Sequence, residues 1–282
     1  MTTHDEMIST RDYARLRALI YDKAGIQLGE EKRTMLEVRI KRRLRALGIE
    51  SYARYCDFLF SREGQRDELT PLLDVVTTNK TDFFREPRHF EFLTAKALGE
   101  MERRSAGRPL LIWSAGCSSG EEPYTLAMVL SEYAGQHPGF RFRILATDIC
   151  TQVLEKAQRA IYSSDVVRPV PSLLQRKYFL RSRDRSSERV KVAPELRHLV
   201  EFRRLNFMDA EYGLGEQADA IFCRNVLIYF DRPTQESILS KLCRNLVPAG
   251  FLFVGHSESL HDMNLPLQPV APALYRRTNG GV

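Results

Sequence analysis

The sequence predicts an α/β protein: a mostly parallel, doubly wound sheet, preceded by a small all-helical domain and carrying a small inserted β-subdomain. From Leu110 onward, short apolar runs alternate with amphipathic helical patterns, as in βαβ units whose helices cover both faces of a sheet. Before residue 77 the apolar spacing is helical throughout. At about residues 180–200 a polar stretch gives way to the strand-like runs "RVKVA" and "HLVEF", an excursion from the main sheet. At 282 residues the chain is long for one domain and short for two large ones. The expected division is a helical domain at 1–76, a linker and helix at 77–109, and the sheet domain at 110–282.

Within the helical domain Leu36, Ile40, Leu44 and Leu47 recur on one face and Gly48 is the expected stop. "LLIWSAG" is apolar enough for a strand buried on both faces. It leads to a helix from Glu121 to Tyr133 with Pro123 in its first turn, where a missing N–H costs nothing. "RFRILATD" is the second strand, and Thr151 is the expected N-cap of a helix running to Ile161. "ADAIFCRN", "PTQESILSKLCRNLV", "GFLFVGHS" and "ALYRR" read as strand, helix, strand and strand.

The 43% hydrophobic content is that of a soluble globular protein, and no apolar run approaches the roughly 18–20 residues of a membrane span. "MTTHDEMIST" lacks the basic-then-apolar order of a secretion signal, so a cytoplasmic protein with no membrane insertion is expected. Cys56, Cys117, Cys150, Cys223 and Cys243 are odd in number and never in C-x-x-C pairs, which favours buried reduced thiols over disulfides or zinc. His89, His198 and His256 show no metal-ligand spacing, and no metal is expected. The net charge of +6 is concentrated between Lys32 and Arg45, where seven basic residues accompany one acid, Glu37. A nucleic-acid groove would spread its charge among stacking aromatics; one basic helix face is either solvated or a dock for an acidic partner.

"SAGCSSGEEP", Ser114 to Pro123, holds the candidate ligand loop. Gly116 and Gly120 let backbone approach a ligand but fall short of G-x-G-x-x-G. Glu121 and Glu122 would repel a pyrophosphate at a helix start that already attracts anions. A ligand with a carboxylate for the N–H groups and an ammonium for a glutamate fits better, and the methionine end of S-adenosylmethionine has both. Glu122 is assigned to the ammonium and Glu121 to the helix start. Asp148, at the end of the second strand, is placed to accept from ribose hydroxyls, the alternative being an N-cap. "GHSES" at 255–259 misses the second glycine of a nucleophile elbow, and His261 and Asp262 follow too closely for a triad.

With "TTNKTDFFRE", "SAGCSSGEEPYT", "ATDICTQVLEKAQ" and "FCRNVLIYFD" in this order, the sequence resembles the CheR-type chemotaxis receptor methyltransferases from about residue 10 to 277. The resemblance implies a class I S-adenosylmethionine-dependent methyltransferase fold with a helical N-terminal domain and a β-subdomain. It also implies conversion of receptor glutamates to γ-methyl esters, with S-adenosylhomocysteine as product. By the same resemblance Asn79, Thr81 and Arg85 would touch the cofactor, Glu122 and Asp148 would hold its methionine end and ribose, and Asn206 and Phe207 would lie beside the adenine. Cys223, Arg224 and Asn225 would close the pocket, and Tyr229 would stand with Arg85 near the transferred methyl. No strong base is needed, because a glutamate of pKa about 4.3 is ionised at neutral pH; Arg85 and Tyr229 are positioning groups. "LRSRDRSSERV" lacks the glycine found at this turn in members that bind a receptor tail peptide. The receptor contact is therefore assigned to the basic helix, through Arg39, Arg42 and Arg43, facing the cytoplasmic helical bundle of a chemoreceptor, with the enzyme a monomer. The rival readings are a nucleic-acid methyltransferase, which would show Asn/Asp-Pro-Pro-aromatic where this chain has "RNVLIY", and a cofactor-bound scaffold without turnover.

Overall fold

A computed structural model of the protein describes residues 7–278 apart from 183, 185 and 187. Residues 1–6 of the opening stretch and those three positions of "LRSRDRSSERV" lie outside the described residues. Helices α1 (Thr10–Ala24), α2 (Arg33–Leu47), α3 (Tyr52–Leu59), α4 (Arg62–Asp67) and α5 (Leu69–Val76) pack around Leu16, Ile20, Leu36, Ile40, Tyr55 and Leu72. Ser9, Ser51 and Ser61 cap α1, α3 and α4 by accepting from the amides of Asp12, Arg54 and Gly64. In α2, Leu36, Ile40 and Leu44 are buried as their spacing requires, but Leu47 is 38% exposed. It is the last helical residue before Gly48, whose φ of 66° turns the chain away.

The basic face of α2 is divided between two uses. Arg43 forms a two-pronged ion pair with Glu68, Nε and Nη2 each donating at 2.7 Å, and Tyr55 Oη donates to the same carboxylate at 3.0 Å. Glu68 is 1% exposed. Arg39 donates to the carbonyls of Val76 and Thr77 at the end of α5 and to Thr78 Oγ1, satisfying helix-end acceptors. The expected receptor contacts are corrected accordingly: Arg43 is an internal counter-ion and Arg39 an internal cap, whereas Arg42 is exposed along with Lys41 and Arg45.

Helices α6 (Arg88–Phe92) and α7 (Leu98–Arg104), joined by a π-helical turn at Leu93–Ala97, pack Phe90, Leu93, Leu98 and Met101 into the core on one face of the sheet. Strands β1 (Leu110–Ala115), β2 (Phe142–Asp148), β3 (Ile161–Ser163), β4 (Phe179–Arg181), β5 (Arg189–Val192), β6 (Val200–Arg204), β7 (Ala218–Cys223), β8 (Leu246–Val254), β9 (Leu267–Ala271) and β10 (Leu274–Arg277) form two sheets. The main one runs β6-β2-β1-β7-β8-β10-β9, with β10 antiparallel to its two neighbours. Helices α8 (Glu121–Gln136) and α9 (Thr151–Arg159) follow β1 and β2; α10 (Ser172–Tyr178) and α11 (Pro194–Arg197) flank the small sheet, and α12 (Arg232–Arg244) follows β7. Every residue of β1 and β7 is buried, as strands covered on both faces must be.

Three elements differ from expectation. "HLVEF" supplies β6, which pairs with β2 in the main sheet, and is not part of the excursion. The β-subdomain is the antiparallel sheet β3-β5-β4, so it begins at Ile161 and closes at Val192; three-residue strands are too short to show alternation. β9, "LQPVA", is a strand for which no expectation was stated; it lies at the sheet edge, where its proline is tolerated. At the start of α9, Thr151 is the first helical residue and is itself capped: Asp74 of α5 accepts from the Thr151 amide at 2.7 Å and from its hydroxyl. The helical domain is thereby bonded to the sheet domain.

Candidate active site

The strand order reverses direction between β1 and β7, and in such sheets the ligand crevice lies beyond the carboxyl ends of the strands there. A cleft occupies that position. Its floor includes Gly116, Ser118, Thr147, Asp148 and Arg224, and its far wall includes Leu28, Lys32 and Met35 of the helical domain. Gly116 has φ 89°, and a Cβ there would meet Val226 at 2.5 Å; Gly120 has φ 94°, and a Cβ would meet Ala157 at 2.8 Å. Both glycines are therefore required by sterics.

The two glutamates of the loop take different environments. Glu122 lines the cleft, accepting from Ser114 Oγ at 2.7 Å and Arg224 Nη1 at 3.1 Å. Glu121 is 2% exposed and bonded to the Ser119 hydroxyl, while its carbonyl accepts from Thr125 within α8. Burial raises the Glu122 pKa above the usual carboxylate range, with Arg224 and Ser114 opposing the rise. Arg224, whose side chain is 2% exposed, is shared with Glu86, to which Nη2 donates at 3.1 Å. Two carboxylates around one guanidinium leave a local negative charge, which a cationic ligand group would neutralise.

Asp148 accepts from the amides of Ser118 at 2.8 Å and Cys150 at 2.9 Å, and it lines the cleft. Burial raises its pKa, and those amide bonds oppose the rise. A carboxylate holding two amides retains lone pairs for a diol. Asn79, Thr81, Arg85, Asn206, Phe207, Asn225 and Tyr229 line the same cleft. Asn79 is anchored through its carbonyl, which accepts from Ser118 Oγ at 2.9 Å. Asn206 Nδ2 donates to the Lys23 carbonyl at 2.6 Å, another link to the helical domain. Phe207 packs edge-on to Phe230. Cys223 departs from expectation: it is wholly buried in the core cluster with Ile221, Ile238 and Leu239 and does not line the cleft. As the last residue of β7, it packs on the face covered by α12, while Arg224, just past the strand, lines the cleft.

Arg85 sits between two residues of left-handed backbone, Phe84 (φ 54°) and Glu86 (φ 55°). Such conformations cost roughly 1 kcal/mol or more each and persist where the surroundings impose them. Here the Phe84 amide donates to Thr125 Oγ1 at 3.1 Å and Glu86 is held by Arg224. Burial raises the Tyr229 pKa, and the nearby charges of Arg85 and Arg39 oppose it; Tyr229 and Arg85 both line the cleft, whereas Arg39 does not. Residues not foreseen from the sequence include Glu86, Asp74 and the cleft-lining residues Leu28, Lys32 and Met35 of the helical domain. Glu86 adjoins Arg85 in "FFRE" and could have been noticed; Lys32 and Met35 carried no such signal. Glu86, His89 and His256 bring one potential ligand atom each within 4.8 Å of one another, a grouping their spacing did not reveal. Glu86 is already engaged there by Arg224, Asn225 and the His256 amide, and burial holds the His89 pKa down at about 4.

Fold and site together define a class I S-adenosylmethionine-dependent methyltransferase: Glu122, Asp148 and the aromatic residues Phe207, Tyr229 and Phe230 line one cleft and suit an ammonium, a ribose and an adenine. Residues 11–77 match the family model "CheR methyltransferase, all-alpha domain" and residues 79–273 match "CheR methyltransferase, SAM binding domain". The chain belongs to the CheR methyltransferases. It is 38% identical over 274 residues to the chemotaxis protein methyltransferase of Borreliella burgdorferi, covering 96% of this chain and 95% of that protein. It is 42% identical over 257 residues to the chemotaxis protein methyltransferase of Salmonella typhimurium, covering 91% and 86%. Chemotaxis protein methyltransferase 2 of Pseudomonas aeruginosa is 38% identical, with 94% and 92% covered. The protein is an S-adenosylmethionine-dependent methyltransferase of chemotaxis, and no described helix is long and apolar enough to cross a membrane.

Proposed function

We propose that the protein esterifies glutamate side chains on the cytoplasmic helical bundle of chemoreceptors, acting in the cytoplasm, with Arg85 and Tyr229 positioning the acceptor. The observation that carries this reading is the placement of a guanidinium and a phenol in a cleft lined by Glu122 and Asp148. Bound S-adenosylmethionine supplies an electrophilic methyl on a sulfonium. Glu122 takes its ammonium and Asp148 its ribose. Arg85 pairs with the incoming carboxylate and Tyr229 donates a further hydrogen bond, holding one oxygen in line. Neither residue transfers a proton, since the acceptor is already ionised. Methyl-labelled cofactor and receptor cytoplasmic fragments should yield label released as methanol by mild base. Label that resists base, or that enters nucleic acid, would defeat the ester reading, and no label at all would favour a non-catalytic scaffold.

Lys41, Arg42 and Arg45 are exposed beside Val38, which is 55% exposed, a basic rim around an apolar point that suits an acidic helical bundle. Reversing these three charges (K41E/R42E/R45E) should raise the KM for receptor roughly tenfold at low salt. Affinity for S-adenosylhomocysteine, measured by calorimetry, should not change. Equal loss of both would show that the face is structural.

A further inference from the structure

We propose that Glu258 is a positioning residue for methyl transfer, acting through the turn that carries Tyr229; the proposal rests on the role given to Tyr229 above. Glu258 lies in "GHSES", which has no hydrolase role here. Its side chain folds back beneath the ends of β7 and β8, adjacent parallel strands that pair Cys223 with Val254. It is 7% exposed. Its carboxylate accepts from three backbone amides: Leu227 at 2.7 Å on Oε1, and Asn225 at 2.8 Å and Gly255 at 2.5 Å on Oε2. A buried carboxylate satisfied by several oriented amides resists displacement, because each freed N–H would be left without a partner.

Those amides belong to segments that shape the site. Asn225 lines the cleft with φ 59°, a left-handed conformation that needs external support. Leu227 opens the 3₁₀ turn Leu227–Tyr229. The turn is held from other sides as well: Gln235 Nε2 donates to the carbonyls of Leu227 and Phe230, and the Gln27 amide of the helical domain donates to the Tyr229 carbonyl at 2.9 Å. Glu258 supplies the contact on the sheet side. Gly255 is part of the same device, since a Cβ there would collide with Asn225.

Glu258→Gln is nearly isosteric but keeps one acceptor oxygen and turns an NH2 group toward a backbone N–H. With the remaining oxygen in the two-donor position, the Leu227 amide loses its partner and the Tyr229 turn loosens. Because displacements of about 1 Å can cost on the order of 100-fold in rate, kcat for receptor methylation should fall roughly 10- to 100-fold. Calorimetric affinity for S-adenosylhomocysteine, held by Glu122 and Asp148, should change less than about threefold, within the cost of one weak contact. The decisive measurement is the cycle E258Q, Y229F and E258Q/Y229F. If Glu258 acts through the Tyr229 hydroxyl, E258Q adds less than about threefold to the loss in Y229F. Losses that multiply, or a folded E258Q enzyme as fast as the native one beside a slow Y229F, would overturn the proposal alone. A Y229F enzyme as fast as native would overturn the role of Tyr229 and Glu258 together. Gly255→Ala, which crowds Asn225 without removing a charge, is the second probe if E258Q does not fold. It should lose kcat with the same dependence on Tyr229, and independence from Tyr229 would count against the proposal.

Discussion

Arg43→Ala should lower the stability of the helical domain by roughly 3–5 kcal/mol, the cost of leaving a buried charge without its partner. Glu68 is 1% exposed, and two of the donors to it come from Arg43; the remaining Tyr55 hydroxyl cannot neutralise a carboxylate. Urea unfolding followed by circular dichroism gives the measurement. The double variant R43M/E68L, which removes both charges, should recover much of the loss, because apolar residues of similar volume often replace a buried pair at little cost. An R43A protein as stable as native but with raised KM for receptor would return Arg43 to the surface role first expected of it.

Glu122→Gln should weaken binding of S-adenosylmethionine by about 2–3 kcal/mol, roughly 30- to 150-fold, since hydrogen bonds to charged groups contribute about 1.5–3 kcal/mol. The amide keeps the Ser114 contact and loses the charge that faces the ammonium. The pH dependence has a definite sign. Burial raises the Glu122 pKa in the free protein, and an adjacent ammonium lowers it again in the complex. Affinity is therefore full above the free-protein pKa and is lost as pH falls through it. Titration calorimetry should show weakening toward acid pH in the native protein, with that component absent from E122Q. Equal affinities for the two proteins at neutral pH would refute the assignment.

Much of the site could be read along the chain because charge and backbone constraints are local. The acids after Gly120 weigh against a pyrophosphate there, and Glu122 lines the cleft while Glu121 is bonded to the Ser119 hydroxyl. Asp148 was placed by its strand end. The β-subdomain boundaries were misread because β3 and β4 are three residues long and Ala160 ends α9 in a left-handed conformation without glycine. The side chain of Cys223 was misassigned because adjacency in "CRN" does not reveal which face of β7 each residue takes.

Periodicity and nearest-neighbour chemistry suffice for the α/β class, the helical first domain, the glycine loop and the concentration of charge on one helix. How that charge is used depends on the packing of the helices. Arg39 and Arg43 look identical to Arg42 in a run of basic residues, but the first caps α5 and the second neutralises a carboxylate 25 positions away in the chain. The same holds for Asp74 capping α9 and for Glu258 binding the two distant amides of Asn225 and Leu227. A buried charge is stabilised by whatever folding brings against it, and that partner is set by the packing of whole elements rather than by the residues beside it.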